Sequence, residues 1–121
     1  MSKAKVMVVD DSPTELKLIS KSLLAVGYDV ITASDGEEAL QKVNSEPVAL
    51  VVLDVIMPKL NGFQVCRKIK SSPKLSGIKI ILLTSKNQDC DKFWGEKQGA
   101  DVYMTKPFSD DELMANVAKL T

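Results

Sequence analysis

The chain has no histidine among its 121 residues. That excludes imidazole-ligated zinc, Ser-His-Asp nucleophile relays and any phosphohistidine formed on this chain itself. Cysteine is nearly as scarce: Cys66 and Cys90 lie far apart and form no CxxC pair. Each falls in a helical pattern, where the expected role is a small buried hydrophobe. A charge excess is missing too. Lys and Arg number 16 and Asp and Glu number 16, so nothing in the balance points to nucleic acid or to a membrane surface. No apolar run approaches the roughly 20 residues of a spanning helix. The start, Met1-Ser2-Lys3-Ala4-Lys5, lacks a signal-peptide core, so a cytoplasmic protein is expected. Chemistry is left to carboxylates, hydroxyls, lysine and an oxygen-loving metal.

What is present has globular composition, 45% hydrophobic and 26% charged residues, and a length suited to one domain over residues 1–121. Apolar runs predict strands at Lys5–Asp10, Leu50–Asp54 and Ile78–Leu83, and Tyr28–Thr32 and the shorter Asp101–Met104 also read as strands. Between them lie helical patterns. Ser12-Pro13-Thr14-Glu15 supplies an N-cap, a proline at the first helical position and a glutamate three residues after the cap. Ser34-Asp35-Gly36-Glu37 and Ser109-Asp110-Asp111-Glu112 repeat the capping box. A third helix runs on from Phe63, after a turn at Pro58 and Asn61-Gly62, and stops near Ser72-Pro73. The fourth, 87–98, is the least tidy: Cys90, Phe93 and Trp94 make an apolar stripe that Gly95 weakens by about 1 kcal/mol relative to alanine.

Strands that alternate with helices cannot be hairpin partners. They run parallel, with right-handed crossovers. The expected fold is a doubly wound α/β domain with five parallel strands in the flavodoxin-like order 2-1-3-4-5 and helices on both faces. All strands then end at one edge, and the residues at those ends are Asp10-Asp11, Asp54, Thr84 and Lys106. The second strand ends in Ala33-Ser34 and contributes little, as befits an outer position. Each of these residues alone could be ordinary turn chemistry. Three carboxylates, a hydroxyl and an ammonium in one crevice are not.

Two carboxylates about 5 Å apart repel by roughly 3 kcal/mol at an effective dielectric of 20. One lysine against three acids leaves net negative charge. A divalent cation relieves it, and oxygen ligands with substrate phosphate describe a Mg²⁺ site. Zinc is disfavoured by the lack of histidine. A carboxylate here can accept a phosphoryl group whose oxygens Mg²⁺, Lys106 and Thr84 neutralise.

The set Asp10-Asp11, Asp54-x-x-Met57-Pro58-x-x-Asn61-Gly62, Thr84-Ser85, Tyr103 and Lys106-Pro107-Phe108 resembles the receiver domain of two-component response regulators, over the whole chain. The resemblance implies that Asp54 is the phosphoacceptor and that Asp11 ligates Mg²⁺ directly, with Asp10 acting mainly through water. The backbone carbonyl of Ile56 would add a ligand. Lys106 would contact the phosphoryl group, Thr84 would swing its hydroxyl onto it, and Tyr103 would turn into the space vacated. The Lys106-Pro107 bond would be cis. Ile56 and Lys86 occupy positions that tune how long the phosphoryl group lasts. The string Trp94-Gly95-x-x-Gln98-Gly99-Ala100 resembles stand-alone receivers of chemotaxis-type arrays that control type IV pili.

The implied function is a switched binding module without an output domain, expected as a monomer. A histidine kinase phosphorylates Asp54, and a downstream protein reads the face of the fourth helix, fifth strand and fifth helix. The enzyme alternative is a Mg²⁺-dependent phosphatase or phosphotransferase on a small metabolite. Against it, Asp54-Val55-Ile56 has no second acid two residues on and no capping insertion follows. A flavodoxin-like cofactor binder fails at the first loop, where Asp10-Asp11 would repel a nucleotide phosphate.

Overall fold

The computed structural model describes residues 4–57, 59–84 and 99–121. The expected fourth helix, with Cys90, Phe93 and Trp94, lies outside the described residues, as do Pro58, Ser85 and Lys86.

Five strands, β1 (Lys5–Val9), β2 (Asp29–Ala33), β3 (Leu50–Asp54), β4 (Lys79–Thr84) and β5 (Val102–Thr105), form one sheet in the order β2-β1-β3-β4-β5. Every pairing is parallel. Helices α1 (Pro13–Ala25), α2 (Gly36–Ser45), α3 (Gly62–Ser71) and a C-terminal helix (Asp110–Leu120) connect and cover it.

Why these runs are continuously apolar is visible in where alternate residues go. Val6 and Val8 of β1, Leu50 and Val52 of β3, and Ile81 and Leu83 of β4 pack with Ile19 and Leu23 of α1 and Leu113 and Val117 of the C-terminal helix. Their neighbours Met7, Val9, Val51, Leu53, Ile80 and Leu82 pack with Ala39, Val43, Val65, Cys66 and Ile69 of α2 and α3. A strand with two dry faces has no polar side to show, so period-2 alternation is absent from the sequence. Cys66 is fully buried, and burial pushes its thiol up to about 12, which leaves it an inert core residue.

The helix starts hold two corrections. The cap of α2 is Asp35, not Ser34: the Asp35 side chain accepts from the Glu38 N–H at 2.9 Å. Glu38, not Glu37, reaches back, accepting from the Ser34 N–H at 2.7 Å and the Ser34 hydroxyl at 2.9 Å. Helix α3 begins one residue earlier than the periodicity suggests. Asn61, expected as part of a turn, is its N-cap in a reciprocal box with Gln64.

Candidate functional site

Register brings the acids together. Val9 of β1 is level with Leu53 of β3, so Asp10, the next residue, leaves the sheet beside Asp54. Asp54 is itself paired with Leu83, which sets Thr84 one step further along the same rim, and the Lys106 N–H donates to the Thr84 carbonyl at 2.7 Å. One oxygen each from Asp10, Asp11 and Asp54 lie within 4.8 Å of one another. Asp10 and Asp54 are buried, at 2% and 7% exposure, and Asp11 is exposed. The structure thus collects Asp10, Asp11, Asp54 and Lys106 in one place, with Thr84 fully buried alongside. The Lys106-Pro107 peptide bond is cis.

The electrostatics are unsettled in the way the crowding implies. Burial first, and then the Asp10 carboxylate, push the Asp54 carboxyl up to about 6, against the pull of Lys106. Burial also raises Asp10, opposed by the Ser12 N–H and by Lys106. Asp10 Oδ1 accepts from the Ser12 N–H at 2.9 Å. Its other oxygen, Oδ2, is buried without a hydrogen-bond partner among the described residues. A buried carboxylate oxygen left this way costs free energy, and three hard oxygens converging on the same space are the donor set of a Mg²⁺ or similar cation. The site fits such an ion.

Lys106 Nζ lies 3.6 Å from Asp54 Oδ1, 3.8 Å from Asp10 Oδ2 and 3.6 Å from Glu15 Oε1. The sequence reading missed Glu15, which it assigned wholly to capping α1. Ser12 is the N-cap as expected and accepts from the Glu15 N–H at 3.3 Å. The Ser12 N–H, which a reciprocal box would give to the glutamate, goes instead to Asp10.

The loop after Asp54 is held from both sides. The Gly62 N–H donates to the Val55 carbonyl at 2.8 Å. Lys59, at φ 68°, reaches Asp35 at 3.5 Å and Glu37 at 3.6 Å. Ile56 stands in this loop, 52% exposed. Tyr103 packs its ring against the core on the α2 and α3 face, with its hydroxyl out of solvent. Beside Lys106 a groove of about 740 Å³ opens between α1 and the C-terminal helix, lined by Glu15, Leu18, Phe108 and Leu113 among others. Leu18 is 62% exposed.

An acid cluster at the C-terminal edge of a 2-1-3-4-5 sheet also occurs in unrelated flavodoxin-like folds, so the fold alone does not decide the matter. The sequence does: residues 6–118 match the response regulator receiver domain. The chain belongs to the response regulator receiver family. Among curated relatives of this receiver, it is 48% identical over 113 residues to the alkaline phosphatase synthesis transcriptional regulatory protein PhoP of Bacillus subtilis. The match takes in 93% of this chain but 46% of that protein, so the chain spans about half the length of such relatives. It is 37% identical to Protein PilH of Pseudomonas aeruginosa over 114 residues, 94% of each chain. Of solved structures, the chemotaxis protein CheY4 of Vibrio cholerae superimposes with a TM-score of 0.92 at 31% identity, covering 99% of this receiver and 100% of that chain. Receivers serve two-component signalling as phosphoacceptors rather than as turnover enzymes. No helix among the described residues is long and apolar enough to cross a membrane.

Proposed function

We propose that Asp54 accepts a phosphoryl group from the phosphohistidine of a histidine kinase, with Mg²⁺ as cofactor, and that the resulting state changes the affinity for a partner protein. The observation that carries this is the convergence of two buried acids, Asp10 and Asp54, and the exposed Asp11 within 4.8 Å of one another at the rim of the sheet, with the Lys106 ammonium within 3.8 Å of the two buried ones.

In the transfer, an Asp54 oxygen attacks phosphorus in line with the phosphorus–nitrogen bond of the donor. That bond breaks, and the imidazole nitrogen leaves with the electron pair and takes a proton from solvent. Mg²⁺ supplies charge neutralisation on the phosphoryl oxygens. Asp11 and Asp54, with the Ile56 carbonyl, are the residues to hold it. Asp10, with one oxygen tied to the Ser12 N–H, would offer its other oxygen to the ion. Lys106 compensates charge as it develops on the phosphoryl oxygens. Thr84, buried one step along the rim, would turn its hydroxyl to the same group, and Tyr103 would answer in the space beside it. The surface of β5 and the helices flanking it would carry the change to a partner. The coupling free energy this requires is about 1–3 kcal/mol.

The exposed apolar rim favours a protein donor. Leu18 and the groove that includes Lys106 and Glu15 adjoin the acids, so a kinase domain presenting its phosphohistidine to Asp54 would cover them.

The metabolite-phosphatase reading is separated by stoichiometry. Incubation with Mg²⁺ and acetyl phosphate should place one phosphoryl group on each chain, and Asp54→Asn should abolish it. Sustained release of phosphate over many turnovers, with no phosphorylated chain, would favour the enzyme instead.

A further inference from the structure

Glu15 has been displaced from its capping partner. Its backbone N–H serves the α1 cap, but the N–H its carboxylate would accept from belongs to Ser12 and is taken by Asp10 Oδ1. The carboxylate, 39% exposed, points to Lys106 at 3.6 Å. Lys106 is then equally distant from Glu15 and Asp54, slightly farther from Asp10, and beyond hydrogen-bond distance of all three. An ammonium suspended among three acids gives Asp54 only part of its charge.

We propose that Glu15 is a positioning residue that acts through Lys106. It draws the ammonium partly away from Asp54 and Asp10, leaving those acids more negative for a divalent cation, and yields the ammonium when phosphoryl oxygens arrive on Asp54. Glu15 thereby sets the balance between cation affinity and phosphoryl affinity at the site. The inference rests on Asp54 being the phosphoacceptor.

Removing the Glu15 charge lets Lys106 settle on Asp54 and Asp10. A cation then meets a competitor already in place, while an anion meets a complement already in place. The two affinities should move in opposite directions, which loss of packing or of helix stability would not produce. Exposed or half-exposed pairs of this kind are worth about two- to five-fold in an equilibrium constant.

The test uses Glu15→Gln, which keeps the backbone N–H that caps α1 and nearly all the side-chain volume. Mg²⁺ affinity is measured by calorimetry without phosphodonor, and beryllofluoride affinity at saturating Mg²⁺. Mg²⁺ binding should weaken and beryllofluoride binding should tighten, each by about two- to five-fold. Repeated in a Lys106→Gln background, the substitution should lose most of its effect on Mg²⁺. The proposal is overturned if both affinities move the same way, if neither moves, or if the Mg²⁺ change persists undiminished without Lys106. Wild-type phosphorylation measured in parallel keeps the two claims apart. A wild-type chain that takes no phosphoryl group on Asp54 defeats the functional reading, whereas a wild-type chain that does, with Glu15→Gln inert, defeats only this one.

Discussion

A Cβ placed on Gly62 would stand 2.4 Å from the carbonyl oxygen of Asp54 and 2.7 Å from the Cα of Val55. The first residue of α3 therefore lies directly against the backbone of Asp54, the proposed phosphoacceptor, and only glycine permits it. Gly62→Ala must push α3 or the Asp54 loop aside. The expected cost is about 1–3 kcal/mol of stability, seen in denaturant unfolding, with slower phosphorylation from acetyl phosphate because the Asp54 carboxylate is displaced.

The raised Asp54 carboxyl makes stability fall as pH rises in the absence of divalent cation. Its folded value, about 6, lies above the ordinary 3.8. The native state thus holds an extra proton between those values, and the stability it confers is fully present below about 3.8 and lost as pH passes through 6. Asp54→Asn removes the liability. At pH 7 without metal it should be more stable than wild type by about 1–3 kcal/mol, with the difference shrinking towards pH 4. Mg²⁺ should stabilise wild type much more than the variant. Thermal unfolding against pH, with and without Mg²⁺, measures both. Glu38 works the other way at lower pH: its carboxyl is held down to about 2 by the Ser34 N–H and then by Lys42, so its contribution is lost only as pH falls towards 2.

Ile56 is a large apolar side chain, 52% exposed, two residues after Asp54. It should hinder the approach of water to a phosphorylated Asp54. Ile56→Asn replaces that screen with a polar group able to hold a water, and self-dephosphorylation should speed up by about five-fold, a change of about 1 kcal/mol in the barrier. Decay of the phosphorylated chain after donor removal reports it, and an unchanged rate would show that Ile56 plays no such part.

Leu18 separates the two kinds of phosphodonor. Leu18→Glu puts a charge on the groove beside Lys106 while leaving the acids untouched. Transfer from a phosphorylated kinase should slow by about ten-fold, the loss expected for a central apolar contact, with acetyl phosphate used almost as well as before. Equal rates from the kinase would show that the groove is not covered during transfer.

The fold was legible because its signals are local. Val6–Val9, Leu50–Leu53 and Ile80–Leu83 are each apolar throughout, which only a strand dry on both faces requires, and the acids follow directly at the ends of two of them. The convergence of Asp10, Asp54 and Lys106 then follows from parallel order alone. What escaped the sequence was competition between equivalent local choices. Ser34 and Asp35 are both good caps and Glu37 and Glu38 both acceptable partners, and the choice falls to Asp35 because Glu38 can bond the Ser34 N–H and hydroxyl together. Asn61 hid behind its turn propensity. Glu15 was hidden most deeply, since its partner Lys106 comes from the far end of the chain and its own local motif pointed elsewhere.

The most direct test of the central claim is to find the atom that carries phosphorus. The chain is phosphorylated with acetyl phosphate and Mg²⁺, reduced with borohydride, which converts an aspartyl phosphate to homoserine, and mapped by peptide mass spectrometry. The account predicts homoserine at position 54 alone, and none when Mg²⁺ is omitted. Homoserine at position 10 or 11, or a stably phosphorylated chain with position 54 unaltered, would contradict it.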